Sequence, residues 1–329
     1  MIVAWLLGCA GGGQAAAPVP PASAAPAVSA RTPPPELLPG PELEGLCDAS
    51  AGIAVGDWLV VADDEHDRLM VYDRGGAFAQ RIDLERLSPR FGDGESDLEG
   101  LAAVGDTVWL IASHDSGKGT ERKPHRQRLA ALHLRPTAQG VEATLSGPVA
   151  TGLIDAALGT PGLGPVLSAT AGFTSKDPRG LSIEGLAAGP GGGLLVGFRT
   201  PIVDNKALLM SVSDPAALSR GADPLIGPPI WLDLGGRGVR SIAAHAGGYR
   251  IVAGPAADGA LALYDWDGSP GSAPVLLPVL LGGLRPEGLV RFDGGWWLLS
   301  DDGSRKIDGE RCKELPRSAR RARTARLVR

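Results

Sequence analysis

The sequence predicts an all-β protein, a β-propeller with five blades. Three observations lead to this prediction: a Glu-Gly-Leu pattern recurs along the chain, each copy precedes an apolar segment of strand length, and Gly and Asp separate the segments. A unit repeated at intervals of about 40–50 residues is typical of a four-stranded propeller blade. A β-sandwich, the main alternative, needs no repeated strand start of this kind.

The Glu position of the repeated pattern, called the slot here, occurs once in each expected blade. A degenerate copy places Arg in the fourth slot, and the interval between the second and third slots is long enough to carry an insertion. A sixth blade in residues 146–175 is an open alternative, although the Gly and Pro residues there favour a loop and residues 151–158 favour one short helix. The predicted slot residues are Glu44, Glu99, Glu184, Arg240 and Glu287.

The apolar segments are expected to be the second strands of the blades. They are short and nearly continuous in hydrophobic residues, as strands buried on both faces require. Second strands are expected at residues 58–62, 108–112, 193–197, 249–253 and 296–300. Third strands are expected at 68–72, 128–133, 207–210 and 260–264, and outer strands at 80–84, 141–145, 229–234 and 275–281.

The N-terminal residues predict export. An apolar run with a small residue directly before Cys9 resembles the processing site of bacterial lipoproteins. The resemblance implies a signal peptide over residues 1–9, lipidation of the Cys9 thiol, and a place in the cell envelope, at the periplasmic face or the cell surface. The run carries no Lys or Arg, so either a longer leader precedes it or the match is fortuitous.

The remaining composition predicts three segments. Residues 10–41 are rich in Ala and Pro and predict a disordered linker, residues 42–315 the propeller, and residues 316–329 a disordered basic tail. The net charge is −5 and the tail holds six Arg and no acid, so residues 1–315 carry −11. An acidic body argues against nucleic acid as a partner. We expect a monomer that contacts the membrane through its lipid anchor alone.

Two further cysteines lie near opposite ends of the expected domain. Ring closure would place Cys47 and Cys312 side by side, where a disulfide would lock the propeller in an oxidising compartment. The alternative is that both are separate, small hydrophobic residues of the core.

A charged pocket is expected at one end of the propeller axis. The first strand of each blade lines the channel and the second returns antiparallel to it, so slot residues meet the polar residues that end the second strands. We expect the ligand-binding residues to be Glu44, Asp64, Glu99, His114, Lys118, Glu184, Arg199, Arg240, Glu287 and Asp301.

Closely spaced carboxylates need neutralisation, and three interpretations of the slots stay open. The Glu side chains can fasten neighbouring blades by accepting backbone hydrogen bonds, they can contact a ligand directly, or they can hold a divalent cation such as Ca²⁺, which takes six to eight oxygen ligands. The candidate metal ligands are Glu44, Glu99, Glu184 and Glu287.

A polar, basic loop over residues 113–128 extends the second blade from the expected channel mouth. Loops on a rigid scaffold often carry function, and here His114, Lys118, Arg122 and Arg126, with Arg199, suit a phosphate or carboxylate. His114 is also the candidate acid or base for catalysis. The alternative is a solvated, charged loop without a ligand.

An ordered series of motifs resembles a bacterial family of unknown function, number 3616. The series comprises residues 62–65, 97–100, 113–114, 180–186, 197–199, 238–242, 286–289 and 300–303. More distantly, the Glu-Gly strand starts are similar to esterase-like phytase and gluconolactonase/regucalcin propellers, in which acidic residues at the channel mouth hold a divalent cation. The nearer family implies a fold and no activity.

Two functional hypotheses follow. The first is a binding or scaffold module for a polar small molecule, a glycan or an envelope protein. The second is a metal-assisted hydrolase of phosphate esters or lactones. The sequence has no nucleophile elbow, His-Glu-x-x-His motif, P-loop or Cys-x-x-Cys pair, which disfavours the enzyme classes that depend on them.

Overall fold

The computed structural model describes Met1 and residues 35–328 of the chain. Residues 35–328 form a five-bladed β-propeller in which each blade is a four-stranded antiparallel sheet, which confirms the predicted fold class and blade number. The predicted signal peptide, the lipidation of Cys9 and most of the Ala/Pro-rich linker lie outside the described residues.

Blades 1–4 each run from the innermost to the outermost strand in chain order. Blade 1 contains Ala49–Val55, Trp58–Asp63, Arg68–Tyr72 and Phe78–Asp83. Blade 2 contains Leu98–Val104, Thr107–Ala112, Leu129–Thr137 and Gly140–Leu145. Blade 3 contains Ser182–Ala188, Leu194–Val203, Lys206–Val212 and Ile230–Leu232. Blade 4 contains Gly238–His245, Gly248–Gly254, Ala262–Trp266 and Val275–Leu277.

Blade 5 is built from both ends of the described chain. Its inner strands are Pro286–Phe292 and Gly295–Ser300, its third strand is Thr324–Val328, and its outer strand is Glu36–Pro39. The prediction of a disordered basic tail is therefore wrong, and the linker ends before residue 36. The tail strand forms because its small and apolar side chains are buried in the sheet, whereas its Arg residues reach acids at the blade edge, as Arg323 does with Asp302 at 2.7 Å.

Short elements complete the propeller. Leu43–Glu44 pairs with Arg321–Ala322, and Lys306–Ile307 pairs with Glu310–Arg311. Residues 146–175 contain no sixth blade but two short helices, Leu153–Leu158 and Gly164–Ser168, and a third helix is Ala216–Ser219. Single 3₁₀ turns occur at Leu84–Arg86, Pro89–Gly92, Pro124–Arg126, Pro190–Gly192, Cys312–Glu314 and Arg317–Ala319. None of the helices within the described residues has the length and hydrophobicity to cross a membrane.

Five apolar clusters fill the five interfaces between neighbouring blades. The Gly of the repeated pattern is needed at these interfaces because neighbouring side chains approach its backbone. A Cβ atom on Gly100 would lie 2.5 Å from Cβ of Leu186 in blade 3, and one on Gly185 would lie 2.8 Å from Cγ1 of Val239 in blade 4. Such contacts are far closer than van der Waals distance, so a side chain at the Gly position would separate the blades. The motif therefore combines a slot side chain at the axis with a Gly that allows close packing between neighbouring blades.

A register shift marks the slot in every blade. In blade 2, Leu98 pairs with Ala112 and Gly100 with Ile111, so Glu99 is the extra residue of a β-bulge. Equivalent bulges contain Glu184, Arg240 and Glu287. Bulges redirect side chains, which explains why these residues leave the sheet and point toward the axis.

The slot of blade 1 is Ser50 and not Glu44, so that assignment was wrong. Ala49 pairs with Asp63 and Ala51 with Ala62, which leaves Ser50 in the bulge. Glu44 lies earlier, in the short Leu43–Glu44 strand, and its exposed side chain faces Arg321 at 3.3 Å. The Glu-Gly-Leu sequence at Glu44 matches the repeat by composition but occupies a different place in the fold.

A disulfide joins the two chain ends beside blade 5. Cys47 and Cys312 are bonded, with Cα atoms 5.9 Å apart and a sequence separation of 265 residues. Both side chains are buried. The bond connects the approach to blade 1 with the segment that leads into the third strand of blade 5.

Candidate functional site

Arg240 is the centre of an ion-pair network at the axis. Its Nε lies 2.8 Å from Oε2 of Glu184, and its Nη2 contacts Oε1 of Glu287. Nη1 of Arg199 donates to the other oxygen of Glu184 at 2.7 Å, and Nε of Arg199 donates to the Ala256 carbonyl at 2.9 Å. Because Glu184, Arg240 and Glu287 belong to blades 3, 4 and 5, the network shows that their slots converge and it ties the three blades together.

Glu99 and Asp64 form an acidic side of the mouth, and neither makes an ion pair with a described residue. Glu99 is 8% exposed, and its side chain has no hydrogen-bond or ion-pair partner among the described residues. Oδ1 of Asp64 is buried and likewise lacks a partner in that part of the chain. Burial raises the pKa of Glu99 well above its usual value, and the nearby charges of Glu184, Asp97 and Asp64 add to the effect. Burial and then Asp48 raise the pKa of Asp64 in the same way.

Two carboxyls that the sequence analysis did not single out extend this acidic side. Burial, followed by hydrogen bonding to Asp301, raises the pKa of Asp48 to about 9. Burial and the charge of Asp115 raise the pKa of Asp97 to about 7, although Nη1 of Arg126 lies 2.5 Å from its Oδ2. Such shifts mean that these carboxyls hold protons at pH values where exposed carboxyls are ionised.

The residues that were missed share one position. Asp48 lies two residues before the slot Ser50, and Asp97 lies two residues before the slot Glu99. In blade 5 the same position is Arg285, whose Nη2 is 3.8 Å from Asp301. The sequence does show an Asp two residues before the slot in blades 1 and 2. Because Glu44 was predicted as the slot of blade 1, Asp48 and Asp97 were not recognised as equivalent positions.

A cavity leads to the axial network from between blades 4 and 5. Its volume is about 450 Å³, and Arg240 and Glu287 line its inner end. Arg285 and Asp258 line the outer part, where Arg285 Nη2 approaches Asp258 at 3.2 Å. A small molecule in this cavity would therefore meet both cationic and anionic side chains.

His114 is placed differently from the axial acids. Its side chain is fully buried, its Nδ1 donates to the Ala112 carbonyl at 2.8 Å, and its backbone has a φ of +56°. Burial lowers the pKa of His114 to about 4, and within the described residues its Nε2 has no partner. A neutral, enclosed imidazole does not suit a residue that exchanges protons with a substrate near neutral pH.

Most of the basic loop is engaged in internal contacts. Lys118 is exposed and lies away from the axial network. Arg126 pairs with Asp97 and Asp115, and Nη2 of Arg122 pairs with Asp155 at 2.9 Å. The loop and the inserted helices enclose a cavity of about 940 Å³, in which that Arg122–Asp155 pair forms part of the wall. The predicted anion site of His114, Lys118, Arg122, Arg126 and Arg199 is therefore not assembled.

The four Glu residues proposed as metal ligands do not form one ligand set at the axis. Glu44 lies outside the axis, and Glu184 and Glu287 are bound to Arg240. Across residues 35–328, no three His, Cys, Asp or Glu side chains are grouped in a geometry that suits a metal ion. Glu99 lies at the mouth, is 8% exposed and has no ion pair with another described residue.

Fold and axial geometry together define a class, a five-bladed β-propeller whose slot side chains form a charged network at one mouth. The family model "Protein of unknown function (DUF3616)" matches residues 48–139 and 143–275. The chain belongs to this family, as its motifs predicted. Blade 5 lies beyond the matched residues, and no curated protein matches the chain.

Solved structures show a similar fold at low sequence identity. A putative oxidoreductase (glucose dehydrogenase) from Thermus thermophilus is 17% identical with a TM-score of 0.46, covering 89% of this chain and 100% of that one. A glutaminyl cyclase from Myxococcus xanthus is 10% identical with a TM-score of 0.44, covering 89% and 97%. A putative gluconolactonase is 12% identical with a TM-score of 0.40, covering 90% and 93%. These likenesses concern the fold alone.

Proposed function

We propose that the protein is a binding module for a small polar molecule at the axial mouth. The observation that carries the proposal is the 450 Å³ cavity whose inner end is formed by the Arg240–Glu287 pair. Cavities of this size, with a few converging polar groups, are common ligand sites. The ion pairs hold these groups in place before a ligand arrives, which reduces the entropic cost of binding.

The charges of the site define the ligand chemistry. Arg285 and Arg240 offer donors to an anionic or carbonyl group, whereas Glu287 and Asp258 accept from hydroxyl or ammonium groups. A zwitterionic or polyhydroxylated molecule satisfies both sets.

The second hypothesis, a metal-assisted hydrolase of phosphate esters or lactones, has no specific observation in its favour. Its proton carrier, His114, is enclosed with a pKa lowered to about 4, and its metal ligands are dispersed or paired with Arg240. A divalent cation remains a candidate occupant of the acidic side, and the experiment below includes it.

Export and anchoring at the envelope remain part of the proposal. They rest on the sequence before Cys9, and the buried pair Cys47–Cys312 supports an oxidising compartment because such bonds persist there. We also propose that the protein is a monomer.

Calorimetric titration of the full chain tests the proposal. The probes are L-glutamate, L-lysine, D-gluconate, D-glucose and CaCl₂, each with wild type, Arg285→Ala and a surface control, Arg179→Ala, which removes an exposed Arg outside the cavity. We expect at least one organic probe to bind and Arg285→Ala to weaken it about 10- to 100-fold, the usual effect of losing a charge-assisted hydrogen bond. Wild-type affinity in Arg285→Ala, or binding of none of the organic probes, would contradict the proposed site. Binding of Ca²⁺ that Glu99→Gln abolishes would assign the mouth to a cation instead.

A further inference from the structure

A second cavity lies away from the axis, where both chain ends meet blade 1. Its volume is about 550 Å³. Blade 1 contributes Met70 and Phe78, the segment before blade 1 contributes Glu44 and Gly45, and the C-terminal segment contributes Arg317. The cavity is separate from the axial site, since none of its lining residues is a slot residue of the propeller.

Arg317 enters this cavity without an acidic partner in the described residues. Its Nη2 lies 3.4 Å from Sδ of Met70, and its guanidinium carbon lies 5.9 Å from the centre of the Phe78 ring. A thioether is a weak acceptor and a guanidinium carries five N–H donors, so most of its donor capacity is unused by the protein. Burial and the nearby guanidinium groups of Arg68 and Arg81 lower the pKa of Arg317, although the charge of Asp63 acts in the opposite direction.

The cavity as a whole carries excess positive charge. Arg81 and Arg86 share one acid, Asp83, at 2.7 and 3.7 Å. The other acid at the rim, Glu44, pairs with Arg321. In a chain with a net charge of −5, three guanidinium groups around one available carboxylate form a local attraction for anions.

An apolar surface accompanies this charge. Met70 is fully buried beneath the cavity, and the Phe78 ring remains 43% exposed although it is a large hydrophobic side chain. The exposed Phe78 ring can pack against an apolar group of a ligand, and the guanidinium of Arg317 beside it can form a bidentate contact with an anion.

We propose that this cavity binds a small organic anion, a carboxylate joined to an apolar or aromatic group. The carboxylate pairs with the fork of Arg317, and the apolar part covers Phe78 and Met70. Because the lining comes from both chain ends and from blade 1, an occupied site holds these three segments together. Binding is therefore expected to raise the melting temperature as well as to release heat.

Titration of the full chain with three probes separates the parts of this proposal. The probes are 4-phenylbutyrate, inorganic phosphate and 4-phenylbutylamine. We expect 4-phenylbutyrate to bind and to raise the melting temperature, phosphate to bind at least 10-fold more weakly because it cannot cover Phe78, and the amine not to bind. Equal affinity for phosphate and 4-phenylbutyrate would overturn the apolar part, and equal affinity for the amine would overturn the anion part.

Variants assign the contacts. Arg317→Gln is expected to weaken 4-phenylbutyrate more than 10-fold and Arg317→Lys less, because Lys keeps the charge but not the fork. The matched control is Arg311→Gln, an exposed Arg outside the cavity that pairs with Glu314. Phe78→Ala provides an independent test should the Arg317 variants fail to fold, and it is expected to weaken binding while leaving the phosphate affinity unchanged. Unaltered binding of 4-phenylbutyrate in Arg317→Gln, or in Phe78→Ala, would refute the site.

Discussion

The same substitution in two slots, Glu184→Gln and Glu99→Gln, should change the free energy of unfolding in different ways. Glu184 is 2% exposed, its Oε1 accepts a hydrogen bond from Nη1 of Arg199 at 2.7 Å, and its Oε2 forms an ion pair with Nε of Arg240 at 2.8 Å. Removing one member of a buried ion pair typically costs about 3–5 kcal/mol because the other charge stays buried. Two guanidinium groups depend on Glu184, so the upper part of this range is expected.

Glu99 is also buried but has no ion pair within the described residues, and burial followed by the charge of Glu184 raises its pKa. Replacement by the neutral isostere Gln removes no ion pair, and it removes both the cost of burying a carboxylate charge and the repulsion of that charge by Glu184, Asp97 and Asp64. A change of about 0–1 kcal/mol toward greater stability is therefore expected at pH 7.

Urea unfolding at pH 7, followed by tryptophan fluorescence, measures both changes. If the slope of the unfolding free energy against urea concentration is the same in each variant as in wild type, the substitutions changed the stability and not the surface exposed on unfolding. Glu142→Gln is the surface control, because Glu142 forms an exposed pair with Arg135 and such pairs contribute at most about 1 kcal/mol. The reasoning is refuted if Glu99→Gln destabilises the protein as much as Glu184→Gln does, since all slot residues would then be equivalent fasteners.

Three further predictions concern closure and packing. The pKa of Asp48 is raised to about 9, so between about pH 4 and pH 9 the folded state keeps a proton that the unfolded state loses, and the stability contributed by this group falls as the pH rises. Asp48→Asn should therefore become more stable relative to wild type over the same range, by up to about 1.4 kcal/mol per pH unit. A difference in the free energy of urea unfolding that does not depend on pH would contradict this prediction. Gly100→Ala should cost about 1–3 kcal/mol because its Cβ would meet Leu186 at 2.5 Å, whereas Gly295→Ala, with nothing within 4 Å, should cost less than 1; equal melting temperatures would argue against close packing at the motif. Deletion of Thr324–Val328 should abolish cooperative unfolding because blade 5 loses its third strand, and a truncated protein that still melts cooperatively near the wild-type temperature would show that the strand is dispensable.

Local pattern predicted the inner part of the fold well. The apolar runs beginning at Trp58 and Val108 are second strands because continuous burial on both faces leaves a strong signal in composition. Blade 5 was incomplete in the prediction because its outer half is assembled from distant segments, and no local pattern reveals that Thr324–Val328 lies beside Gly295–Ser300. The Arg residues in and beside that strand also suggested a solvated tail, because their acidic partners, such as Asp302 for Arg323 and Asp293 for Arg326, belong to other segments.

The candidate site was predicted in part for a similar reason. The slots at Glu99, Glu184 and Arg240 were predicted from the repeated spacing, and the structure shows that each slot residue lies in a bulge of its blade. Glu44 failed because a tetrapeptide does not encode register, and a bulge is defined by its partner strand. Among the described residues, Glu184 and Glu287 form ion pairs with Arg240, whereas Glu99 forms none. The spacing of the repeat does not determine which side chains make contact, so this difference could not be predicted from the sequence.

Blade 5 has a consequence for the order of events during synthesis. Its outer strand, Glu36–Pro39, is made early, and its neighbour, Thr324–Val328, is made after all the inner strands. The nascent chain can therefore form four blades while the ring remains open, with an unpaired edge at Gly295–Ser300. Pairing between such distant segments is slow because a long loop must close first. During that interval the open ring exposes an unpaired strand edge. Chaperones would bind this edge, and a disulfide isomerase would act on the protein, before the ring closes.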